Sequence, residues 1–473
     1  MPITQVVEQA AREAGFELCG IAPVGELAEL KFFSAWIEAG RAGEMKYLEA
    51  RDEAGQLKRA ALENAAPWAR SVIVCAINYN TAEPYSTEVH DPDRGWISRY
   101  AWSREDYHDA VMRRLRIVEA RLQEAVEGAS SGAEAPKNAR ADGTAEAAPF
   151  QSGTGRGGGT QELPASVQAG APKNLHASAE ERRFSAASRQ EKARGLRPPQ
   201  NLQPLGNNDE LITRCYVDTG PLVERVYAKY ASVGWIGKNT CIINQKIGSW
   251  IFLGVILTSL DIAPPEFAEP ERAAPETAKA DELALQFTGS LPAPDRCGTC
   301  TRCIEACPTD AIVAPYQLDA NLCIAYLTIE KRGEIPEAMR TGIGRHVFGC
   351  DICQDVCPWN RKAPATKVPE FQPREGLVNP ALAWLAEISA EEFRETFRSS
   401  PLKRTKRTGV RRNAVIAMGN SGREEFVPLL EKLCADEDAV VAESARWAMR
   451  HCISRDDETQ VSRKERGEPG APT

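Results

Sequence analysis

Eight closely spaced cysteines constrain the fold of this chain more than any other feature of its sequence. They form two dense runs with one cysteine between them: Cys297, Cys300, Cys303 and Cys307; Cys323; and Cys350, Cys353 and Cys357. Disulfide scaffolds are short and secreted, whereas this chain has 473 residues and begins with an amphipathic helix, so the cysteines are expected to bind metal. The other six of its 14 cysteines lie in apolar surroundings typical of core residues: Cys19, Cys75, Cys215, Cys241, Cys434 and Cys452.

The first run has the C-x2-C-x2-C-x3-C-P spacing of bacterial ferredoxins, whose fourth cysteine binds the other of two [4Fe–4S] clusters. This exchange assigns four cysteines to each cluster. The first cysteine set is Cys297, Cys300, Cys303 and Cys357. The second cysteine set is Cys307, Cys323, Cys350 and Cys353. Structural zinc also uses paired cysteines but rarely needs this spacing. Two clusters only move single electrons, so another part of the chain must hold the site that uses them.

Composition and apolar periodicity predict an α/β N-terminal domain, a ferredoxin-like two-cluster domain and C-terminal α-helical HEAT-like repeats. The predicted parts are an α/β domain at 1–126 and 210–260, a low-complexity insertion at 127–209, a loose linker or insertion at 261–294, the two-cluster domain at 295–362, the helical region at 363–456 and a frayed tail at 457–473. The insertion has too few apolar residues to offset its ordering entropy, so we expect it to be disordered.

Apolar periodicity locates individual elements within these parts. Strands are predicted at 72–77 and 211–217, and a strand pair at 241–244 and 250–257. Helices are predicted at 221–233, 410–418, 426–433 and 440–449. A longer helix begins near Tyr107 and carries one apolar face, formed by Val111, Leu115, Val118, Leu122 and Val126.

The net charge of −8 argues against a protein that coats nucleic acid by its bulk charge. One basic run nevertheless suits an RNA backbone: Lys403, Arg404, Lys406, Arg407, Arg411 and Arg412. The alternative for this run is an ordinary solvated surface. No stretch approaches the ~18 apolar residues of a membrane helix, and no dimerisation coiled coil is visible, so we expect a cytoplasmic monomer.

Several motifs resemble those of the epoxyqueuosine reductases, a cobalamin-dependent family related to reductive dehalogenases. The similar segments cover nearly all of the chain outside the two insertions: 43–45 with Tyr47; 98–101 with 106–108; 217–221 with Glu224 and Arg225; 234–239; Cys323 with 325–330; 349–360; and 411–414 with Gly419 and Asn420. The resemblance implies reduction of epoxyqueuosine to queuosine at the tRNA wobble position, the last step of queuosine biosynthesis. It also implies that the α/β domain at 1–126 and 210–260 is the cobalamin-binding catalytic domain, with the cobalamin beside the two [4Fe–4S] clusters.

The same resemblance implies roles for individual residues. Asp218 is the candidate acid that protonates the departing epoxide oxygen, and a helix cap is the alternative. The implied cobalamin contacts are Arg51, Arg99, Tyr100, Tyr107, His108, Asp218, Gly237, Lys238, Asn239, Ile242 and Leu253. The basic run is then the implied tRNA contact, and an external one-electron donor of the flavodoxin or ferredoxin type is implied as a partner. Tyr326 and Trp359 either stack on RNA or pack against the clusters.

Three other functions stay open at the level of sequence. A reductive dehalogenase-like cobalamin enzyme would share the cofactors, but it has no need for a basic helical tail. A non-catalytic iron–sulfur electron-transfer protein would hold no corrin. An iron–sulfur RNA-binding module would bind tRNA and leave its bases unchanged. No Rossmann fingerprint, phosphate-binding loop or HExxH zinc motif is present in the sequence to indicate a different chemistry.

Overall fold

The computed structural model describes residues 1–131, 211–262, 286–287 and 292–465. Nearly all of the predicted insertion at 127–209, most of the predicted linker at 261–294 and the end of the predicted tail lie outside these residues. The chain divides into two compact units, and the larger one, residues 1–126 and 199–473, contains every element analysed below except the C-terminal end of α3. Of the helices that the structure describes, none is both long and apolar enough to cross a bilayer.

The strands form one large sheet and three small ones. They are β1 (Leu18–Pro23), β2 (Ser71–Asn78), β3 (Trp96–Ile97), β4 (Thr213–Tyr216), β5 (Trp235–Ile236), β6 (Ile242–Ile243), β7 (Ile251–Thr258), β8 (Gln286–Phe287), β9 (Ile312–Ala314), β10 (Gln317–Leu318) and β11 (His346–Phe348). The large sheet has the order β4-β7-β2-β1-β8, with β1 and β8 parallel and the other neighbours antiparallel. The predicted pair at 241–244 and 250–257 is wrong, because β6 pairs with β5 whereas β7 lies in the large sheet.

Helices surround the large sheet and form most of the C-terminal part. They are α1 (Ile3–Glu13), α2 (Lys31–Glu38), α3 (Tyr107–Ser131), α4 (Glu224–Tyr230), α5 (Arg302–Glu305), α6 (Ile324–Ile329), α7 (Glu337–Ile343), α8 (Ile352–Asp355), α9 (Leu382–Glu387), α10 (Ala390–Thr396), α11 (Lys406–Ser421), α12 (Val427–Leu433) and α13 (Ala439–Glu465). The three helices predicted for the tail correspond to α11, α12 and α13. The last of these continues beyond the predicted helical boundary at residue 456.

Alternate side chains of β2 point to two different helical layers, as expected for a strand buried on both faces. Ile73, Cys75 and Ile77 pack in one core with α1 and α3. Val72 and Val74 pack on the opposite face, in a core that includes α4. The predicted apolar face of α3 is fully in the first of these cores.

The helical tail and the cysteine-rich region share one hydrophobic core, so the predicted boundary near residue 362 does not separate two independent cores. Asn413 of α11 connects the two regions, since its Nδ2 donates to the carbonyls of Thr328 at 2.9 Å and Val347 at 2.7 Å. Trp447 of α13 and Phe348 of β11 are both fully buried in the shared core. The position of the tail is therefore fixed relative to the cysteines.

We expect Leu115→Ala to lower the free energy of unfolding of the α/β region by about 2–5 kcal/mol, because it leaves a cavity between α3 and the sheet. Urea unfolding followed by circular dichroism measures this change. Ile117→Ala is the matched control, since Ile117 lies on the same helix with 44% of its surface exposed. Equal losses in the two variants would contradict the burial of this face.

Candidate catalytic cleft and iron–sulfur region

The thiols of the first cysteine set lie near one another although Cys357 is distant in sequence. Burial, together with the nearby thiols of Cys297 and Cys303, raises the pKa of Cys357 to about 11. Burial likewise raises the pKa of Cys303, with added contributions from Cys297 and Cys300. Cys357 and Cys303 therefore each have other members of the predicted set among their electrostatic neighbours.

The second cysteine set has the same kind of arrangement. Burial holds the pKa of Cys350 well above its usual range, and the thiols of Cys323 and Cys307 add to the shift. Burial also raises the pKa of Cys323, with a further contribution from Cys307. Cys353 has both Cys350 and Cys323 among the thiols that raise its pKa.

The surroundings of these thiols fit iron–sulfur clusters, whose ligand sulfurs accept hydrogen bonds from backbone amides. The amide of Ala311 donates to the Sγ of Cys307 at 3.3 Å. Lys238 fixes the first cysteine loop, because its Nζ donates to the carbonyls of Gly298 at 2.7 Å and Cys300 at 3.0 Å. The first cysteine loop is thus held in place by polar contacts from a residue outside it.

Cys241 departs from the expectation that it is an ordinary core residue. Its thiol shares a hydrogen bond with Cys353, which is the main cause of a lowered Cys241 pKa. Asn239 holds the two segments together, since its Nδ2 donates to the Cys353 carbonyl at 3.2 Å and its Oδ1 accepts from the Cys241 amide at 3.2 Å. The spacing of the cysteine runs gave no signal for this ninth thiol.

Asp218 lies two residues after β4, in a left-handed backbone conformation with a φ of 55°. The hydroxyl of Tyr107 donates to its Oδ2, and His108 Nε2 is 3.8 Å from the same oxygen. Asp106 is hydrogen bonded to Nδ1 of His108 at 2.8 Å. The candidate acid therefore has a tyrosine and a carboxylate-bound histidine beside it, and the sequence singled out neither this relay nor Asp106 as part of the site.

Two further charged groups lie close to the acid. Burial raises the pKa of Glu224 to about 7, and the charge of Asp218 adds to this effect. Among the described residues, no hydrogen-bond partner reaches the buried Glu224 Oε1. Burial lowers the pKa of Arg225, but the charges of Cys241 and Asp218 outweigh it and leave the pKa raised. Arg225 is therefore an electrostatic neighbour of the candidate acid, of Cys241 and of Cys353 in the second cysteine set.

We define the catalytic cleft as Tyr100, Tyr107, His108, Asp218 and Arg225. Its side chains remain open to solvent at the level of the acid, with 52% of the Asp218 side chain and 33% of the His108 side chain exposed. Tyr100 packs edge-on against Tyr107, with ring centroids 5.8 Å apart. An open, partly aromatic cleft beside the second cysteine set fits a large planar ligand such as a corrin.

Arg99 was expected to contact cobalamin, and the structure contradicts this expectation. The residue is only 1% exposed, and its guanidinium donates to the carbonyls of Thr81, Glu83 and Pro84. It also lies over the rings of three aromatic residues: Tyr85, Trp102 and Trp250. Arg99 therefore holds protein segments together, and its Nε, which has no partner among the described residues, is buried.

Most of the other expected cobalamin contacts have protein partners. Lys238 and Asn239 use their side chains on the cysteine loops, as described above. Ile242 is buried and Leu253 is partly buried in the core beneath the sheet. A Cβ at Gly237 would lie 2.5 Å from a side-chain carbon of Ile243, so this glycine is required for packing of the turn. Tyr100, Tyr107, His108 and Asp218 are the expected contacts that the structure brings together.

Arg51 lies in a short surface hairpin. Its backbone forms an antiparallel bridge with Leu57, and its Nη1 donates to the carbonyl of Gly55 at 2.7 Å. The side chain is exposed. Nothing in this local arrangement directs it toward the cleft.

Arg411 and Arg412 were expected to contact RNA, but both are buried and have protein partners. Arg411 donates to the Asp436 carboxylate at 3.0 Å and to the Ala386 carbonyl at 2.7 Å. Arg412 donates to the Gly333 carbonyl at 2.6 Å, and burial lowers its pKa to about 10. Burial in the shared core therefore removes these two residues from the expected RNA surface.

The first four residues of the basic run have a different environment. Lys403, Arg404 and Lys406 are exposed, and Arg407 is half-buried with its Nε donating to the Ile388 carbonyl at 2.8 Å. The charge of Lys403 acts on Asp106, beside the cleft. These residues can still meet an anionic backbone there.

Tyr326 and Trp359 pack inside the protein. Tyr326 is buried, and its hydroxyl accepts from the Glu44 amide at 2.8 Å. Trp359 lies edge-on to Trp235 with ring centroids 5.0 Å apart, beside Cys357. Of the two roles considered for this pair, the structure favours packing near the cysteines.

Two family models match this chain. The family described as "Epoxyqueuosine reductase QueG, DUF1730" matches residues 59–135, and the "4Fe-4S double cluster binding domain" family matches residues 296–360. A solved epoxyqueuosine reductase in complex with an epoxyqueuosine-modified tRNA-Tyr stem loop has a similar fold. Its TM-score is 0.64 at 23% identity, over 95% of this chain and 91% of that chain.

Two curated relatives are similar over most of their length. The epoxyqueuosine reductase of Xanthomonas campestris is 31% identical over 447 residues, which is 94% of each chain. That of Synechocystis is 33% identical over 400 residues, covering 84% of this chain and 98% of the relative. This extent of identity shows that the chain belongs to the epoxyqueuosine reductase family.

Proposed function

We propose that this chain reduces the epoxide of epoxyqueuosine in tRNA to give queuosine, with a cobalamin and two [4Fe–4S] clusters as its redox groups. The observation that carries the proposal is the position of Asp218, Tyr107 and His108 in an open cleft beside the second cysteine set. Support for the substrate comes from the full-length relatives and from the similar structure that holds an epoxyqueuosine-modified stem loop.

The reaction converts an epoxide to an alkene and water, and it consumes two electrons and two protons. When bound, cobalamin would supply a reduced cobalt centre to the epoxide carbon, with electrons that the clusters deliver singly. Asp218 gives a proton to the departing oxygen. Because the Tyr107 hydroxyl donates to Oδ2, Oδ1 is the oxygen free to carry that proton. His108, held by Asp106, is placed to return a proton to Asp218.

Within this proposal, the first and second cysteine sets each hold one cluster. Tyr100, Tyr107, His108 and Arg225 line the cobalamin side of the cleft. Four basic residues of the HEAT-like tail lie beside the cleft and contact the tRNA backbone there: Lys403, Arg404, Lys406 and Arg407. An external flavodoxin or ferredoxin supplies the electrons, and the enzyme acts as a cytoplasmic monomer.

Asp218→Asn should lower turnover of an epoxyqueuosine-containing stem loop by about 10²–10⁴-fold, the usual contribution of a general acid. Asparagine keeps the shape and the Tyr107 contact but has no acidic proton. Turnover is measured by mass analysis of the released nucleosides, with iron content and cobalamin absorbance as checks of the cofactors. Asp261→Asn, at an exposed position after β7, is the control. Full activity of Asp218→Asn would remove this residue from the mechanism.

Asp106→Asn should move the alkaline limb of the pH–turnover profile to lower pH. Burial lowers the pKa of His108, but the hydrogen bond and charge of Asp106 outweigh it, so the pKa is raised. Loss of Asp106 therefore lowers the pKa, and the protonated histidine disappears at a lower pH. His108→Gln should abolish this limb. An unchanged limb in Asp106→Asn would show that His108 does not deliver the proton.

Two double variants test the exchange of cysteines between clusters. The wild-type chain should contain about eight iron and eight sulfide atoms. Cys297→Ala with Cys357→Ala removes two ligands of one cluster and should retain about four iron atoms. Cys297→Ala with Cys307→Ala removes one ligand from each cluster and should retain almost none.

Circular dichroism establishes that both double variants are folded, and Cys434→Ala is the control that should keep both clusters. If instead the first four cysteines in the sequence bind one cluster and the last four bind the other, the iron contents expected for the two double variants are exchanged. Zinc without acid-labile sulfide in the wild-type chain would contradict the redox proposal itself.

A further inference from the structure

The ring of Tyr47 combines exposure with two cationic neighbours. The residue is 46% exposed, which is unusual for a large aromatic side chain in a folded protein. The guanidinium of Arg59 lies 5.7 Å from the ring centroid, and that of Arg404 lies 5.3 Å from it. Such a site offers a planar surface and positive charge to the same ligand.

Both arginines connect Tyr47 to the catalytic cleft. Arg59 donates from Nη2 to the Gly220 carbonyl at 2.8 Å, two residues after Asp218. Its Nη1 donates to the Tyr47 carbonyl at 2.8 Å. The charge of Arg404 acts on both Tyr47 and Tyr100. The Tyr47 ring therefore lies at the rim of the cleft and not on a remote surface.

The segment that carries Tyr47 is held in a fixed position. Gly43 adopts a φ of 60°, and a Cβ there would lie 2.4 Å from the Tyr326 ring. The Glu44 amide donates to the Tyr326 hydroxyl, and the Glu44 carboxylate pairs with Lys331. Arg404 is fixed in turn by a salt bridge from its Nε to Glu330. A preorganised ring loses little conformational entropy when a ligand stacks on it.

We propose that Tyr47, Arg59 and Arg404 form a stacking site for one unpaired nucleobase adjacent to the base that enters the cleft. Single-stranded RNA is recognised by stacking of splayed bases on aromatic rings and guanidinium planes. Exposed Lys403 and Lys406 follow Arg404 closely in sequence and add charge suited to the neighbouring phosphates. This inference rests on the proposed tRNA substrate and names a part of the enzyme that would recognise it.

The probe is an anticodon stem-loop RNA with guanosine at the wobble position, titrated by fluorescence anisotropy. Tyr47→Ala should weaken its binding about ten-fold or more, the scale of one lost stack, equal to about 1.4 kcal/mol. Tyr47→Phe keeps the ring and should bind within about two-fold of the wild-type chain. Phe32→Ala is the matched control, because Phe32 is an exposed aromatic residue on α2 outside the site.

A second set of RNAs localises the contact. Stem loops with an abasic residue on either side of the wobble position are compared with the intact RNA. The abasic site at the stacked position should weaken wild-type binding about ten-fold and leave Tyr47→Ala unaffected, because the stack is already lost. If each abasic RNA weakens the binding of Tyr47→Ala as much as it weakens the binding of the wild-type chain, the proposal is overturned.

Three experimental outcomes distinguish a failure of this inference from a failure of the proposed function. Equal binding by Tyr47→Ala and the wild-type chain overturns the stacking site and leaves the tRNA function standing. A wild-type chain that holds cobalamin and clusters but does not bind the stem loop overturns both. Loss of cobalamin from Tyr47→Ala shows that the ring positions the cofactor and also overturns the stacking site.

Discussion

The carboxylate of Asp351 ties the segment at 96–100 to the second cysteine set. It is 1% exposed, lies between two cysteines of that set, and accepts from Trp96 Nε1 at 3.0 Å, the Arg99 amide at 2.7 Å and the Ser98 hydroxyl. A buried carboxylate without donors would be very unfavourable, so these contacts depend on one another. The same segment carries Tyr100 into the cleft. The position of the cleft is therefore coupled to the folding of the cysteine loops.

The C-terminal helices extend this coupling to the substrate side. Arg412 and Asn413 satisfy backbone carbonyls of the cysteine-rich region, and Arg332 donates back to the Arg404 carbonyl at 2.7 Å. The proposed RNA contacts thus begin on a turn held by the same core that surrounds the second cysteine set. Arginines that resemble one another in the sequence have two functions here, since the buried ones join regions and the exposed ones remain available to a ligand.

Local patterns predicted much of this architecture. The apolar face of α3, the buried strand β2 and the three tail helices follow from periodicity, which depends on neighbouring residues alone. The spacing of the cysteine runs similarly predicted iron–sulfur binding. Spacing could not predict whether a cation faces solvent or protein carbonyls, because this depends on residues far away in the sequence. Arg99 and Lys238 illustrate the difference, as both were expected at a ligand and both hold protein segments together.

The left-handed backbone at Asp218 has a consequence for how this enzyme can vary. Glycine, asparagine and aspartate are among the residues that adopt a φ of 55° most readily, and of these three only aspartate carries an ionisable group. Glutamate would preserve the charge, but the left-handed backbone conformation alone disfavours it, apart from any effect of its extra methylene. Backbone geometry and chemistry thus favour the same amino acid, so replacement of Asp218 by the chemically similar glutamate is disfavoured.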